Sequence, residues 1–89
     1  MYVILRTSQF KRDVKLAQQR GKNTDHLRTV IEILTQGQTL PPQYRDHQLK
    51  GAFRDCRKYH IAGDWLLVYR IEGNLLQLIR TGTHSDLFR

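Results

Sequence analysis

The sequence predicts an α+β domain of order β-α-α-β-β-β, a largely antiparallel sheet with a helical hairpin packed on one face. Three observations predict it. Apolar residues recur twice at helical spacing in the first half. They alternate at strand spacing in the second half. Pro41-Pro42 separates the halves with a rigid connector that forbids helix. A helix pair and a sheet, each with an apolar face, cover one another by stacking. The length of 89 residues suits a single domain spanning 1–89.

Met1 to Arg6 is β-branched and apolar, the pattern of a first strand. Thr7 or Ser8 then caps a helix whose inner face is Phe10, Val14 and Ala17. Lys11, Arg12, Lys15 and Arg20 occupy much of the rest, and Gly21 stops it. Asn23 or Thr24 caps a second helix, with Leu27, Val30, Ile31 and Leu34 at i, i+3, i+4, i+7 and Gly37 at its end. Phe53 to Ile61 is the next expected strand, followed by a turn at Ala62-Gly63. Asp64 to Ile71 places Trp65, Leu67 and Tyr69 on one face and Leu66 and Val68 on the other. Glu72-Gly73-Asn74 connects to a last strand, Leu75 to Thr81. Thr83 and Asp86 have capping-box spacing, which predicts a helical turn with Leu87 and Phe88 packing back.

Fifteen Lys and Arg against eight Asp and Glu leave a net charge of +7. A body this small and this basic attracts polyanions, either nucleic acid or an acidic protein. The single cysteine, Cys56, excludes an internal disulfide, and its place among strand residues predicts a buried, inert thiol. No stretch approaches the roughly 18 apolar residues of a membrane span. Met1 to Phe10 lacks a basic leader followed by an apolar run, so no signal peptide and a cytoplasmic location are expected.

Of the four histidines, His26 falls among polar helical neighbours and is expected at the surface. His47, His60 and His84 lie in the second half, at spacings of 13 and 24 residues. Zinc sites usually show a close ligand pair, and none exists here. Metal-free cleavage of RNA suits the residue types better. A base takes the 2′-hydroxyl proton, an acid protonates the leaving 5′-oxygen, and cations stabilise the phosphoryl charge. Histidine serves as either acid or base near neutral pH, and arginine offers a fork matched to phosphate.

Four segments carry a family resemblance. They are Tyr44-Arg-Asp-His47-Gln-Leu-Lys-Gly51, Cys56-Arg57-Lys58-Tyr59-His60, Asp64-Trp65-Leu-Leu-Val-Tyr69 and Arg80-Thr-Gly-Thr-His84-Ser-Asp-Leu-Phe88. Together they resemble the YafQ-type branch of the RelE/ParE toxins, from bacterial type II toxin–antitoxin pairs. The resemblance covers nearly the whole chain, including the basic first helix and the Leu-Pro-Pro connector. It implies a ribosome-dependent endoribonuclease that cuts mRNA in the decoding site without cofactor or metal. It also implies an antitoxin partner with an acidic, flexible tail, joined in a hetero-oligomer.

By the same resemblance, His84 is the expected general acid and His47 or His60 the general base. Arg80 is expected to neutralise phosphoryl charge, and Asp64 to orient a histidine or the substrate. Lys50, Arg54, Arg57 and Lys58 are candidate RNA-binding cations, and Phe88 a base-stacking or anchoring ring. Lys58 stands where a relative carries an acid, a change that favours His60 as a neutral base over a standing cation. Two other readings exist: a ParE-like gyrase inhibitor, which lacks such histidines, and a non-catalytic RNA-binding module.

Overall fold

The computed structural model describes residues 1–37, the backbone of 47–48, and residues 55–88. Strand β1 (Val3–Arg6) ends at Thr7, which turns the chain into helix α1 (Ser8–Gln19). Thr7 is the helix N-cap: its Oγ1 accepts the Phe10 N–H at 2.9 Å and donates to the Ile79 carbonyl at 2.8 Å. Such a cap contributes about 1 kcal/mol. Here it also ties the helix start to the last strand. Gly21, at φ +77°, closes α1: its N–H reaches the Gln18 carbonyl, and the Lys22 N–H reaches that of Ala17. That pair of bonds is the Schellman stop, which a left-handed glycine permits. Asn23 caps α2 (Thr24–Thr35) by accepting the Asp25 N–H at 3.0 Å.

Four more strands follow: β2 (His47–Gln48), β3 (Arg57–Ala62), β4 (Trp65–Glu72) and β5 (Leu75–Thr83), and then the short helix α3 (His84–Phe88). They form one sheet with β1, in the order β1-β5-β4-β3-β2. Only the β1–β5 pair is parallel. The α+β class and the largely antiparallel sheet agree with the sequence. The connector at Pro41-Pro42 lies outside the described residues.

Several boundaries differ from expectation. Strand β3 begins at Arg57, after Asp55 turns the chain at φ +71°, while Phe53 and Arg54 of the expected strand lie outside the described residues. Aspartate is among the few residues that tolerate this conformation. Two-residue β2, not anticipated, adds an edge to β3. Strand β5 runs on to Thr83, since Leu66 and Trp65 at the start of β4 still pair with Gly82 and Thr83. The two-residue loops Gly63-Asp64 and Gly73-Asn74 each begin with a left-handed glycine. Their place in hairpins matches the twist of the flanking strands.

Strand alternation divides the core. Trp65, Leu67 and Tyr69 meet the helices, against Phe10, Leu27 and Leu34. Leu66 and Val68 face the other way and are covered by Cys56, Leu87, Ile79 and Phe88. A bulge in β5 resets its alternation: Tyr69 pairs with Leu78 but Val68 pairs with Arg80. Past the bulge, Thr81 pairs with Leu67 and is buried, while Gly82 pairs with Leu66. A Cβ on Gly82 would stand 3.1 Å from the Asp86 Cβ and Oδ2 and 3.4 Å from Leu87 Cδ2, so glycine is what lets α3 approach.

Candidate active site

The face of the sheet away from the helices gathers part of the sequence-predicted site. Lys58 and His60 are two apart on β3, opposite Val68 and Leu66, and so share their face. Helix α3 returns over this face because Leu87 buries itself against it. Its start is the predicted capping box. Thr83 N–H donates to Asp86 Oδ2 at 2.9 Å, and Asp86 N–H to Thr83 Oγ1 at 3.1 Å.

The return of α3 brings its two ends against β3 and the β3–β4 turn. Phe88 lies under the Lys58 ammonium, 5.5 Å from Nζ to the ring centroid. The His84 ring stands 5.2 Å from that of Phe88, tilted by 46°. The His84 backbone N–H donates to Asp64 Oδ1 at 3.3 Å. Asp64 therefore holds the main chain of His84. His60 and Gly82 flank Leu66 in register, so their strands lie roughly 10 Å apart. His84 follows two residues after Gly82. A half-buried imidazole at one side of such a span and an exposed one at the other can address one phosphodiester from two directions.

The remaining residues singled out in the sequence lie elsewhere or outside the described residues. The register sets His47 opposite Lys58, while its side chain lies outside the described residues. Lys50 and Arg54 lie outside them too. Arg57 stands opposite Tyr69, in register with the helical side, so it is not brought beside Lys58. His26 is exposed on α2, as expected. Cys56 is buried, and burial pushes its thiol pKa up.

Arg80 has a partner that the sequence did not reveal. Its Nε–H and Nη2–H donate to Asp13 of α1 at 2.8 and 3.0 Å, so its fork is committed within the protein. Asp13 is 6% exposed and also accepts from Thr81 N–H and Gln9 Nε2. Burial alone would raise the Asp13 pKa, but the bonds from Arg80, Gln9 and Thr81 together hold it below the usual carboxylate value. Asp13 raises the Arg80 pKa in turn, chiefly through their hydrogen bonds.

A second pair was also missed. Arg20 Nη1 donates to Asp86 Oδ2 at 2.7 Å. The Arg20 bond, then the Thr83 N–H, bring the Asp86 pKa down to about 2. Both pairs border a cleft of about 190 Å³ between α1 and β5. Asp13 carried one sequence signal, a lone acid inside a basic helix, but nothing local named its partner. Among the described residues, no three His, Cys, Asp or Glu side chains gather as metal ligands.

This fold, with a histidine-bearing helix closing one face of the sheet, defines a small α+β domain, and comparison with known proteins makes the class specific. The family model described as "Bacterial toxin of type II toxin-antitoxin system, YafQ" matches residues 2–89, and the chain belongs to that family. The mRNA interferase toxin YafQ of Escherichia coli K12 is 40% identical over 83 residues, covering 92% of this chain and 90% of that protein. The E. coli DinJ–YafQ complex superposes with a TM-score of 0.91 at 38% identity, over the full length of both chains. A metal-bound toxin from Helicobacter pylori superposes with a TM-score of 0.90 at 40% identity, covering 99% of this chain and all of that one.

Proposed function

We propose that this chain is the toxin of a type II pair and an endoribonuclease that cuts mRNA in the ribosomal decoding site. The observation that supports this best is the meeting of His84, Phe88, Lys58 and Asp64 on the face that also carries His60. A relative named mRNA interferase over nine-tenths of both chains points the same way.

In this reading His60 or His47 takes the 2′-hydroxyl proton. The 2′-oxygen attacks phosphorus, and the P–O5′ bond breaks. His84 gives its proton to the departing 5′-oxygen, leaving a 2′,3′-cyclic phosphate and a 5′-hydroxyl. Lys58 supplies the positive charge beside the phosphoryl oxygens, the part expected of Arg80, whose fork Asp13 holds. Arg80 instead braces the β5 segment that leads to His84. Phe88 offers a flat face to a base. The reaction needs no metal, since imidazoles carry both proton transfers.

Ribosome-bound mRNA is the substrate because the exposed site has little of its own to position RNA. That substrate places the protein in the cytoplasm, and among the described residues no helix is long and apolar enough to cross a membrane. The relative's complex with DinJ supports an antitoxin partner. A net charge of +7 suits a partner with an acidic segment.

Mapping mRNA 5′ ends after expression of the chain tests this. New ends on ribosome-bound messages, unchanged by EDTA levels that spare the ribosome, are expected. His84→Ala should lower the cleavage rate by about 10²–10⁴-fold while leaving folding intact, since His84 is exposed. DNA damage without new ends would replace the proposal with a gyrase inhibitor. RNA binding without cleavage would leave a binding module.

A further inference from the structure

We infer that Arg20 and Asp86 are positioning residues of this site: their ion pair holds the turn that carries His84. The inference rests on the nuclease reading above and adds to it two residues outside the expected site.

The argument begins with the size of α3. Five residues cannot hold a helix by themselves. Its placement therefore comes from what its side chains touch. Leu87 anchors the far end in the small core. At the near end, Asp86 takes three bonds. Its Oδ2 accepts Arg20 Nη1 at 2.7 Å and Thr83 N–H at 2.9 Å, and its backbone N–H donates to Thr83 Oγ1 at 3.1 Å. Arg20 Nη2 adds a longer contact to Oδ1, at 3.4 Å.

Arg20 is the C-cap of α1, directly before the glycine stop. Its backbone N–H is bonded to the Leu16 carbonyl, so its origin is fixed to the helical layer. The guanidinium thus links that layer to the capping box across 66 residues of sequence. His84 is the residue between the cap and the rest of α3, and its own N–H is held by Asp64. Two carboxylates fix the turn, Asp64 from the β3–β4 loop and Asp86 through Arg20. A displacement of about 1 Å at a proton donor can cost 10²-fold in rate.

The pair is partly exposed, at 43% for the Arg20 side chain and 23% for that of Asp86. Exposed pairs add little to folding. Rate and stability should therefore separate.

The test uses the full chain and four variants: Arg20→Ala, Arg20→Lys, Asp86→Asn and the double variant Arg20→Ala/Asp86→Asn. Cleavage on mRNA-programmed ribosomes gives kcat and KM, thermal unfolding gives stability, and proton NMR follows the His84 and Phe88 rings. Arg20→Ala and Asp86→Asn should each lower kcat by about 10- to 100-fold with KM and Tm nearly unchanged. The double variant should be no worse than either single one. Arg20→Lys should recover part of the rate. The mutual ring-current shifts of His84 and Phe88 should move in the alanine variant.

A wild-type kcat in Arg20→Ala would overturn the inference. A rise in KM alone would also overturn it, by making Arg20 an RNA contact. If the wild type does not cut RNA, the nuclease reading fails, and the ring signals decide this one separately. Unmoved rings in Arg20→Ala reject the tether, and shifted rings keep it.

Discussion

The two faces of the sheet are built from one strand and differ in what covers them. On the helical side, Trp65, Leu67 and Tyr69 are roofed by two twelve-residue helices. On the other side, Leu66 and Val68 are roofed chiefly by a five-residue helix. The first face supplies most of the buried apolar surface and so most of the stability. The second keeps only a small core, which leaves Lys58, His60 and His84 partly open to solvent. Stability and chemistry are thus divided between faces only one sheet thick. The proposed site sits where, among the described residues, the covering is thinnest.

Cutting one leucine on each face tests this division most strongly. Leu67→Ala should cost about 2–5 kcal/mol, visible as a Tm fall of roughly 10 °C or more. Leu87→Ala should cost less, about 1–2 kcal/mol, yet lower cleavage more, because α3 loses its anchor. Urea unfolding set beside a cleavage assay reads both. Equal ratios of stability loss to activity loss in the two variants would erase the distinction between faces.

Gly82→Ala is a gentler probe of the thin face. The added methyl would meet Asp86 at 3.1 Å and push α3 outward. We expect a stability loss of about 1 kcal/mol and cleavage lowered by about tenfold. Amide shifts in a two-dimensional NMR spectrum should be concentrated in residues 80–88. Changes spread through α1 and α2 would show that the faces are not independent.

The smallest expected effect is in acid. Asp13 and Asp86 both have carboxyl pKa values lowered by their partners, the latter to about 2. A carboxylate with a depressed folded value stabilises the protein fully above its unfolded value of about 3.9. That contribution fades as pH falls through the folded value. Stability should therefore fall from about pH 4 toward pH 2. Asp86→Asn should make the slope shallower by removing that contribution, a small loss at neutral pH because the pair is partly exposed. An unchanged slope in that variant would remove Asp86 from the account.

Much of this molecule was legible locally. Thr7, Gly21, Asn23 and Gly37 mark helix ends because caps and stops act within four residues. The alternation of Trp65 to Tyr69 identified both faces of β4. The spacing of Thr83 and Asp86 announced the helical turn that carries His84. The family resemblance led to His60, Asp64, His84 and Phe88, which share one region. It did not show that Arg80 is engaged by Asp13, a partner 67 residues away. Nor did it show Arg57 in register with the helical side.

By itself, then, the sequence determined what depends on neighbours along the chain: element types, their caps, and the apolar faces they present. Tertiary structure alone decided which distant groups meet. The parallel pairing of β1 with β5 and the pairs Asp13–Arg80 and Arg20–Asp86 all join segments with most of the chain between them. Charge and hydrogen-bonding capacity leave no periodic trace in sequence, so which acid meets which arginine depends on how the layers stack.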